Sequence, residues 1–468
     1  MQSTATLRRG ALSQAEAVGV SLATVAPAFA LFGSLGLIVA GAGLGSPVII
    51  LIAAVAMAFH VNSVAEFNKV MPTAGMYPAY VGRALGPIPG ASLGIAYQLA
   101  YVATSAGFLD YWGYWTSLTI HELIGISVPW WLTTVILTGL LLWVTVRGVR
   151  VSSRWAIALF LFEMAVLAAI FVMAIVTRWS TLSLAPFSPA NILHGSSGLG
   201  MVFPLAVYMF LGASYSAPLA EEVKDPTKAV PKAVFRTLIL AAIIDTLLTW
   251  ATIQIFHNSP SALVKPAIPM LEAGTMVLGP LAFVMYLAGF TSISSTAITS
   301  INGLARVALG LGREGILPRF LSRVDSRYQT PKAALLVTGG IWIALGLVMG
   351  FAVGPYTTFE YLGTLGTITI IVAFALVNIA LPVLYLREFR DRFSWWLHVI
   401  APALGTVALI LPLIATLAPQ PYPYNLLMWL SIAILAVGLV LAIAVVSRHK
   451  GLKMGVFIAE ERDADVSG

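Results

Sequence analysis

The chain has no cysteine and little charge. Without cysteine there is no disulfide framework, no thiol nucleophile and no cysteine-bound metal. The six histidines are scattered, with no pair at metal-ligand spacing. Asp, Glu, Lys and Arg make up 10% of the 468 residues, against roughly 25% in an ordinary soluble domain. A phosphate-binding loop and a repeated filter sequence are missing. Their absence speaks against a membrane-embedded enzyme or a channel. No cofactor, no metal and no nucleic-acid partner is expected.

What fills the chain is apolar. Hydrophobic residues reach 59%, and the mean hydropathy is +0.92. A soluble globule cannot keep that much apolar surface from water. Soluble enzymes, nucleic-acid-binding modules and disordered chains are excluded, and a polytopic membrane protein in a lipid bilayer is left. The net charge of +7 reads as topological charge, because its placement is one-sided. Forty glycines and 26 prolines are many, and membrane helices tolerate both where they are broken for function.

A helix needs about 20 apolar residues to cross the bilayer. Twelve candidate spans run over 18–42, 47–67, 91–118, 128–146, 155–177, 198–220, 234–256, 275–305, 333–353, 358–384, 397–417 and 425–447. They are solid apolar blocks, not the short alternating segments of a barrel. The expected fold class is therefore an all-α membrane protein with twelve transmembrane helices. With the N-terminus in the cytoplasm, every Lys and Arg except Arg178 and Lys265 falls on the inner side. That asymmetry supports both termini inside, in a plasma or inner cell membrane. Arg8 and Arg9 precede the first apolar run, and Ala26-Pro27-Ala28 resembles a signal-peptide cleavage site. The run continues to about Ala42, too long for a signal peptide. The acidic stretch from Glu460 to Asp465 is expected to be disordered.

Two spans carry helix-breaking sequence near their middles. Span 1 reads Ala26-Pro27-Ala28-Phe29, followed by Gly33 and Gly36; span 6 reads Phe210-Leu211-Gly212-Ala213-Ser214 and continues to Pro218. Proline removes a backbone donor, and glycine lowers the cost of unwinding. The breaks lie five spans apart, an odd number, so the second five-helix unit is expected upside-down relative to the first. That arrangement points to an inverted-repeat transporter with its site at the midplane. The alternative is that Pro27 and Gly212 merely kink two packed helices.

At these residues the chain resembles the amino acid–polyamine–organocation permeases. Phe210 to Val234, FLGASYSAPLAEEVKDPTKAVPKAV, is similar to their sixth helix and following loop. Ala305 to Pro331 resembles the loop after helix eight, and Met71 to Gly86 the end of helix two with its re-entrant loop. The resemblance implies a leucine-transporter-like fold: a cytoplasmic N-terminus (1–17), a first repeat of helices 1–5 (18–177) and an extracellular loop (178–197). A second, inverted repeat of helices 6–10 (198–384), helices 11 and 12 (385–447) and a cytoplasmic tail (448–468) follow. It also implies secondary active transport of an amino acid or related amine by alternating access, with proton-coupled uptake as the leading reading. An amino acid/amine exchanger and a sodium-coupled symporter are the alternatives. Two departures stand out. Where the family often has a Gly-Ser-Gly-type break, this chain has Val25-Ala26-Pro27-Ala28. Where it often has Gly-Phe-Glu, this chain has Gly212-Ala213-Ser214, which puts recognition of a cationic substrate in doubt.

The candidate substrate-binding residues are Ala26, Pro27, Ala28, Phe29, Tyr97, Tyr101, Tyr208, Phe210, Leu211, Gly212, Ala213 and Ser214. Freed N–H groups at Ala28 and Phe29 would meet a substrate carboxylate, and carbonyls of Phe210 and Leu211 its ammonium. Tyr97 and Tyr101 share a helix face at i, i+4 and either line the site or pack. By resemblance, Tyr208 is an aromatic gate; a packing tyrosine is the alternative. Glu163 lies nine residues after Arg154, roughly 13 Å along the helix. A midplane carboxylate is costly unless it is neutralised, so Glu163 is the candidate proton site. Ser292, Ser294, Ser295 and Thr296 form a hydroxyl cluster; Ser294 and Ser295 are candidate ion-coupling residues, with close helix packing as the other reading. Asp110 precedes an aromatic run, Tyr111 to Trp115, that reads as an outer belt facing interfacial water. Asp245 has no assigned role. Glu221, Glu222, Arg306, Arg313, Glu314 and Arg319 read as gate ion pairs and topology determinants.

Overall fold

Proline marks where many of the helices begin, since its fixed φ suits the first helical position and its missing N–H costs nothing there. In the computed structural model, which describes residues 6–188, 190–193, 199–416, 422–449, 452, 454 and 455, α2, α5 and α10 all start on one. In chain order the helices are α1 (Gln14–Val25), α2 (Pro27–Ala42), α3 (Ser46–Val70), α4 (Met76–Leu85), α5 (Pro87–Ile124) and α6 (Trp130–Val146). Next come α7 (Val149–Arg178), α8 (Ala190–Leu193), α9 (Leu199–Tyr208), α10 (Pro226–Ile255), α11 (Pro260–Leu263) and α12 (Pro269–Leu278). The last are α13 (Phe283–Arg313), α14 (Lys332–Val353), α15 (Pro355–Glu388), α16 (Ala401–Thr416) and α17 (Tyr424–Arg448). Among the described residues there is no β-strand, only an isolated bridge between Leu12 and Val223.

So far as they are described, the expected spans fall on α-helix, except span 6, which does so only in its first half. Among the described residues, seven helical runs are long and apolar enough to cross a membrane, while Trp130–Val146 and Trp396–Ile410 are apolar but shorter. One run, Gln14–Val70, holds two expected spans joined by the tight turn Gly43–Gly45. Span 8 starts later than expected. Gly279 and Pro280 interrupt the chain between α12 and α13, so the long helix begins at Phe283 and not at 275. Part of the 178–197 loop and the tail segment Glu460–Asp465 lie outside the described residues.

The core gathers around α13, which is buried from Thr291 through Gly312 and carries Ser292, Ser295, Asn302 and Arg306 inside. A polar helix in that position must find its partners within the protein. The outer helices do the reverse: Val348 of α14 and Val440 of α17 are 68% and 65% exposed, as suits lipid contact.

The basic face is closed by ordered backbone. Leu12 donates to the carbonyl of Glu222 at 3.0 Å, and Lys224 donates back to Leu12 at 2.8 Å. The fully buried Arg306 guanidinium pairs with Glu222. Glu221 accepts from the Ala74 amide at 3.0 Å and from Arg313 at 2.9 Å. These contacts tie the segment before α1 and the loop after span 6 to α13.

On the same face, Gly455 donates its amide to Glu314 at 2.7 Å, and Met454 packs into the cleft between Gly82 and Gly90. Burial pushes the Glu314 carboxyl from 4.5 up to about 7. A carboxyl raised on folding contributes stability below its ordinary value, and that contribution is lost as the pH rises through the folded value. Glu314→Gln is therefore expected to melt with the wild type at pH 4 to 5 and above it at pH 8, read by apparent melting temperature.

Candidate functional site

The break in span 1 is one residue wide. Ala26 adopts φ 51°, ψ 68°, a left-handed conformation that a non-glycine residue enters at a cost. Five backbone groups lose their helical partners there, the carbonyls of Ala23, Thr24 and Val25 and the amides of Ala28 and Phe29. Pro27 has no N–H, so the Ala23 carbonyl has no donor at i+4. The hydroxyls of Thr296 and Ser295 replace it, at 3.1 and 3.2 Å. The Ala28 amide donates to Glu163 Oε1 at 2.7 Å, and the Phe29 amide to Ser292 Oγ at 3.1 Å. The carbonyls of Thr24 and Val25 lose the amides that would otherwise reach them.

These bonds bear on two expectations. The N–H groups at Ala28 and Phe29 are capped by the protein's own Glu163 and Ser292, so they are not open to a ligand. A carboxylate at the start of a half-helix is what the local dipole favours. The hydroxyl cluster caps helix ends: Ser295 bonds Ala23, while Ser294 donates to Phe290 in its own helix at 2.5 Å. The double variant Ser295→Ala/Thr296→Val leaves the Ala23 carbonyl without a donor and is expected to cost about 1–3 kcal/mol. A fall in apparent melting temperature, equal in sodium and choline buffers, is the expected reading.

Span 6 also breaks, with a different second half. α9 ends at Tyr208, Phe210 donates to Val207 at 3.0 Å, and the chain continues as tight 3₁₀ turns, Leu211–Ser214 and Ala217–Glu222. The Phe210 carbonyl, expected to be free, accepts from Ala213 at 3.0 Å. Gly212 meets span 1 at its break. A Cβ there would lie 2.5 Å from the Val25 nitrogen and 2.6 Å from the Thr24 carbonyl carbon. The glycine supplies close approach, not conformational freedom.

Between the two breaks is a cavity of about 50 Å³, room on the order of a few water molecules. Span 1 lines it with Thr24, Val25, Phe29 and Ala30, and span 6 with Tyr208, Leu211 and Gly212. α5 gives Tyr101, Thr104 and Phe108; α13 gives Thr296 and Ser300; α15 gives Ile370. None of these side chains is charged. The Tyr208 hydroxyl is buried without a hydrogen-bond partner. Its ring stacks near Phe108, centroids 6.5 Å apart, and Phe108 and Phe29 are 4.9 Å apart.

Of the expected site residues, Phe29, Tyr101, Tyr208, Leu211 and Gly212 reach this cavity. Ala26, Pro27 and Ala28 form the break behind it. Tyr97 packs against Tyr101 with the rings tilted, centroids 4.7 Å apart. Phe210, Ala213 and Ser214 are buried in the turn outside the lining. Glu163 is fully buried behind Ala28. Asp110 does not meet interfacial water: it is fully buried, its oxygens facing Gly346 and Gly350 of α14. Thr104 and Phe108 were missed, although they continue the Tyr97–Tyr101 face at helical spacing. Ile370 lies in an apolar run and left no signal. A larger hollow of about 160 Å³ sits on the basic face among Arg8, Arg147, Arg150, Arg154 and Arg327; these arginines are exposed and lie apart from both breaks.

Comparison with known proteins gives a consistent picture. Residues 17–452 match the amino acid permease family. A branched-chain amino acid permease, BcaP, of Bacillus subtilis is 25% identical over 74% of this chain and 75% of its own length. A gamma-aminobutyric acid permease of the same organism is 25% identical over 73% of each. A low-affinity putrescine importer, PlaP, of Escherichia coli is 22% identical over 73% of this chain and 74% of its own. Among solved structures, a mutant manganese transporter of Eremococcus coleocola superposes with a TM-score of 0.56 at 14% identity, covering 92% of this chain and 94% of that one.

Proposed function

Because the chain belongs to the amino acid permease family, and is a membrane transporter and not an enzyme, we propose that it takes up neutral amino acids by proton-coupled alternating access. The uncharged cavity lining carries the choice of substrate. A diamine or a basic amino acid would bring into this cavity a second cation without a carboxylate to meet it, an expensive burial. A zwitterion needs one acceptor set and one donor. The carbonyls of Thr24 and Val25 would take the ammonium, and the partnerless Tyr208 hydroxyl would donate to the carboxylate. Phe29, Phe108, Leu211 and Ile370 leave an apolar space for an aliphatic side chain.

The two matched breaks support reading helices 1–5 and 6–10 as inverted repeats, rocking about the midplane. In this reading both termini are cytoplasmic. The closed basic face, with Glu222–Arg306 and Glu221–Arg313, is then the inner gate, and its ion pairs separate when the protein opens inward. Glu163 would hold the coupled proton, and releasing the Ala28 amide would link protonation to the shape of span 1.

Thermal-shift measurements on purified protein test the substrate class, since a ligand stabilises the state it binds. Leucine and valine are expected to raise the melting temperature, and putrescine, lysine and aspartate to leave it unmoved. A shift with putrescine and none with leucine overturns the assignment. Tyr208→Phe is expected to weaken leucine binding by roughly tenfold or more, the loss of a hydrogen bond to a charged group.

A further inference from the structure

We propose that Asp245 is the second member of the ion-coupling site, so that the coupled proton belongs to a carboxylate pair, Glu163 on α7 and Asp245 on α10. This builds on the proton-coupled reading above and adds a residue to it.

Sequence spacing sets the depth. Glu163 follows Arg154 by nine residues, and Asp245 follows Arg236 by nine. Both helices leave the same basic face, so both carboxylates lie roughly 13 Å along their helices from a surface arginine. α7 and α10 pack against one another.

Asp245 is fully buried, and neither of its carboxylate oxygens has a hydrogen bond. The hydroxyls of Thr246 and Thr249 beside it in sequence are also without partners. Glu163 uses one oxygen on the Ala28 amide and leaves Oε2 unbonded. A structural carboxyl would be expected to spend its oxygens on donors.

The other charged groups on the elements around α10 are engaged elsewhere or lie at the surface. Glu16 on α1 caps Ser13; on α3, His60 meets Asn378 and Glu66 meets Lys69. On α7, Arg178 donates to the Ile255 carbonyl, and Arg150 and Arg154 are exposed. Glu222 pairs with Arg306, and Glu272 on α12 is exposed.

Two carboxylates at one depth in a dry interior do not both ionise, and their titration belongs to the pair. With one proton between them the pair carries a single negative charge. When Glu163 is the anion on the Ala28 amide, Asp245 is the acid. No hydrogen bond joins the two carboxyls in this conformation; a movement of α7 against α10 that brings them together would let the O–H bond on Asp245 break as one on Glu163 forms, which weakens the hold on Ala28 and frees the half-helix.

The test uses the full-length protein in proteoliposomes, with labelled leucine and initial uptake measured against external pH. Asp245→Asn is expected to move the midpoint by at least about one pH unit, tenfold in proton concentration. The double variant with Glu163→Gln is expected to be no worse than the more severe single variant, because the pair acts as a unit. A superimposable pH profile for Asp245→Asn, or strictly additive effects, overturns the pairing. If Asp245→Asn does not fold, Asp245→Glu is measured: a displaced midpoint supports the pair and an unmoved one overturns it. Wild-type uptake driven by sodium at constant pH overturns the proton assignment. Wild-type liposomes that exchange no neutral amino acid bring down the transport reading and the pair with it. Wild-type exchange with an unmoved Asp245→Asn profile brings down the pair alone.

Discussion

Gly212→Ala is expected to abolish uptake, by a hundredfold or more, while the protein still inserts and folds. The added Cβ would meet three backbone atoms of span 1, at 2.5 Å (Val25 nitrogen), 2.6 Å (Thr24 carbonyl carbon) and 2.8 Å (Thr24 oxygen). Backbone cannot rotate aside as a long side chain can, so the two spans must separate. Overpacking of this kind costs about 1–3 kcal/mol in a dense interior, which a large bundle survives. The site does not, because the displacement falls between the Thr24 and Val25 carbonyls and the Tyr208 hydroxyl. A misplacement of about 1 Å at a working site can cost roughly a hundredfold. Gly340→Ala is the control: a Cβ there meets nothing within 4 Å, and wild-type uptake is expected. Wild-type uptake by Gly212→Ala would remove the contact between the breaks from the mechanism.

Glu163→Gln is expected to uncouple uptake from the proton gradient. The amide keeps an oxygen for the Ala28 N–H, so the break in span 1 stays capped and the melting temperature changes little. What disappears is the group able to bind and release a proton while touching span 1. Concentrative uptake driven by an inward proton gradient should fall to the level reached without one. Glu163→Ala, which also uncaps Ala28, should lose stability as well, and the difference between the two variants separates coupling from capping. Full concentrative uptake by Glu163→Gln would exclude this carboxyl as the proton carrier.

Much of the fold is legible in the sequence alone. The two interrupted spans stood out because proline and clustered small residues are conspicuous in apolar runs, and Glu163 because a lone carboxylate in such a run is rare. Tyr101 shares a helix face with Tyr97 at i, i+4, and Tyr208 lies four residues before Gly212, where the resemblance implies an aromatic gate. Errors arose where the answer depended on a third element. Ala28 and Phe29 looked like free donors, and only the approach of α7 and α13 reveals Glu163 and Ser292 bound to them. Asp110 looked interfacial because its neighbours in sequence are aromatic; its neighbours in space are the glycines of α14. Gly212 was read as a residue that eases unwinding, when its missing side chain makes room for another backbone.

The sequence by itself determined the class of solvent, the helical architecture and the position of both interruptions, because each follows from composition and from local backbone chemistry. Which group satisfies each orphaned N–H and carbonyl, and what chemical character the space between the breaks has, was decided only by tertiary packing. Those partners are separated by more than a hundred positions along the chain, and hydrogen bonding over such separations is set by how helices cross, which no local pattern encodes.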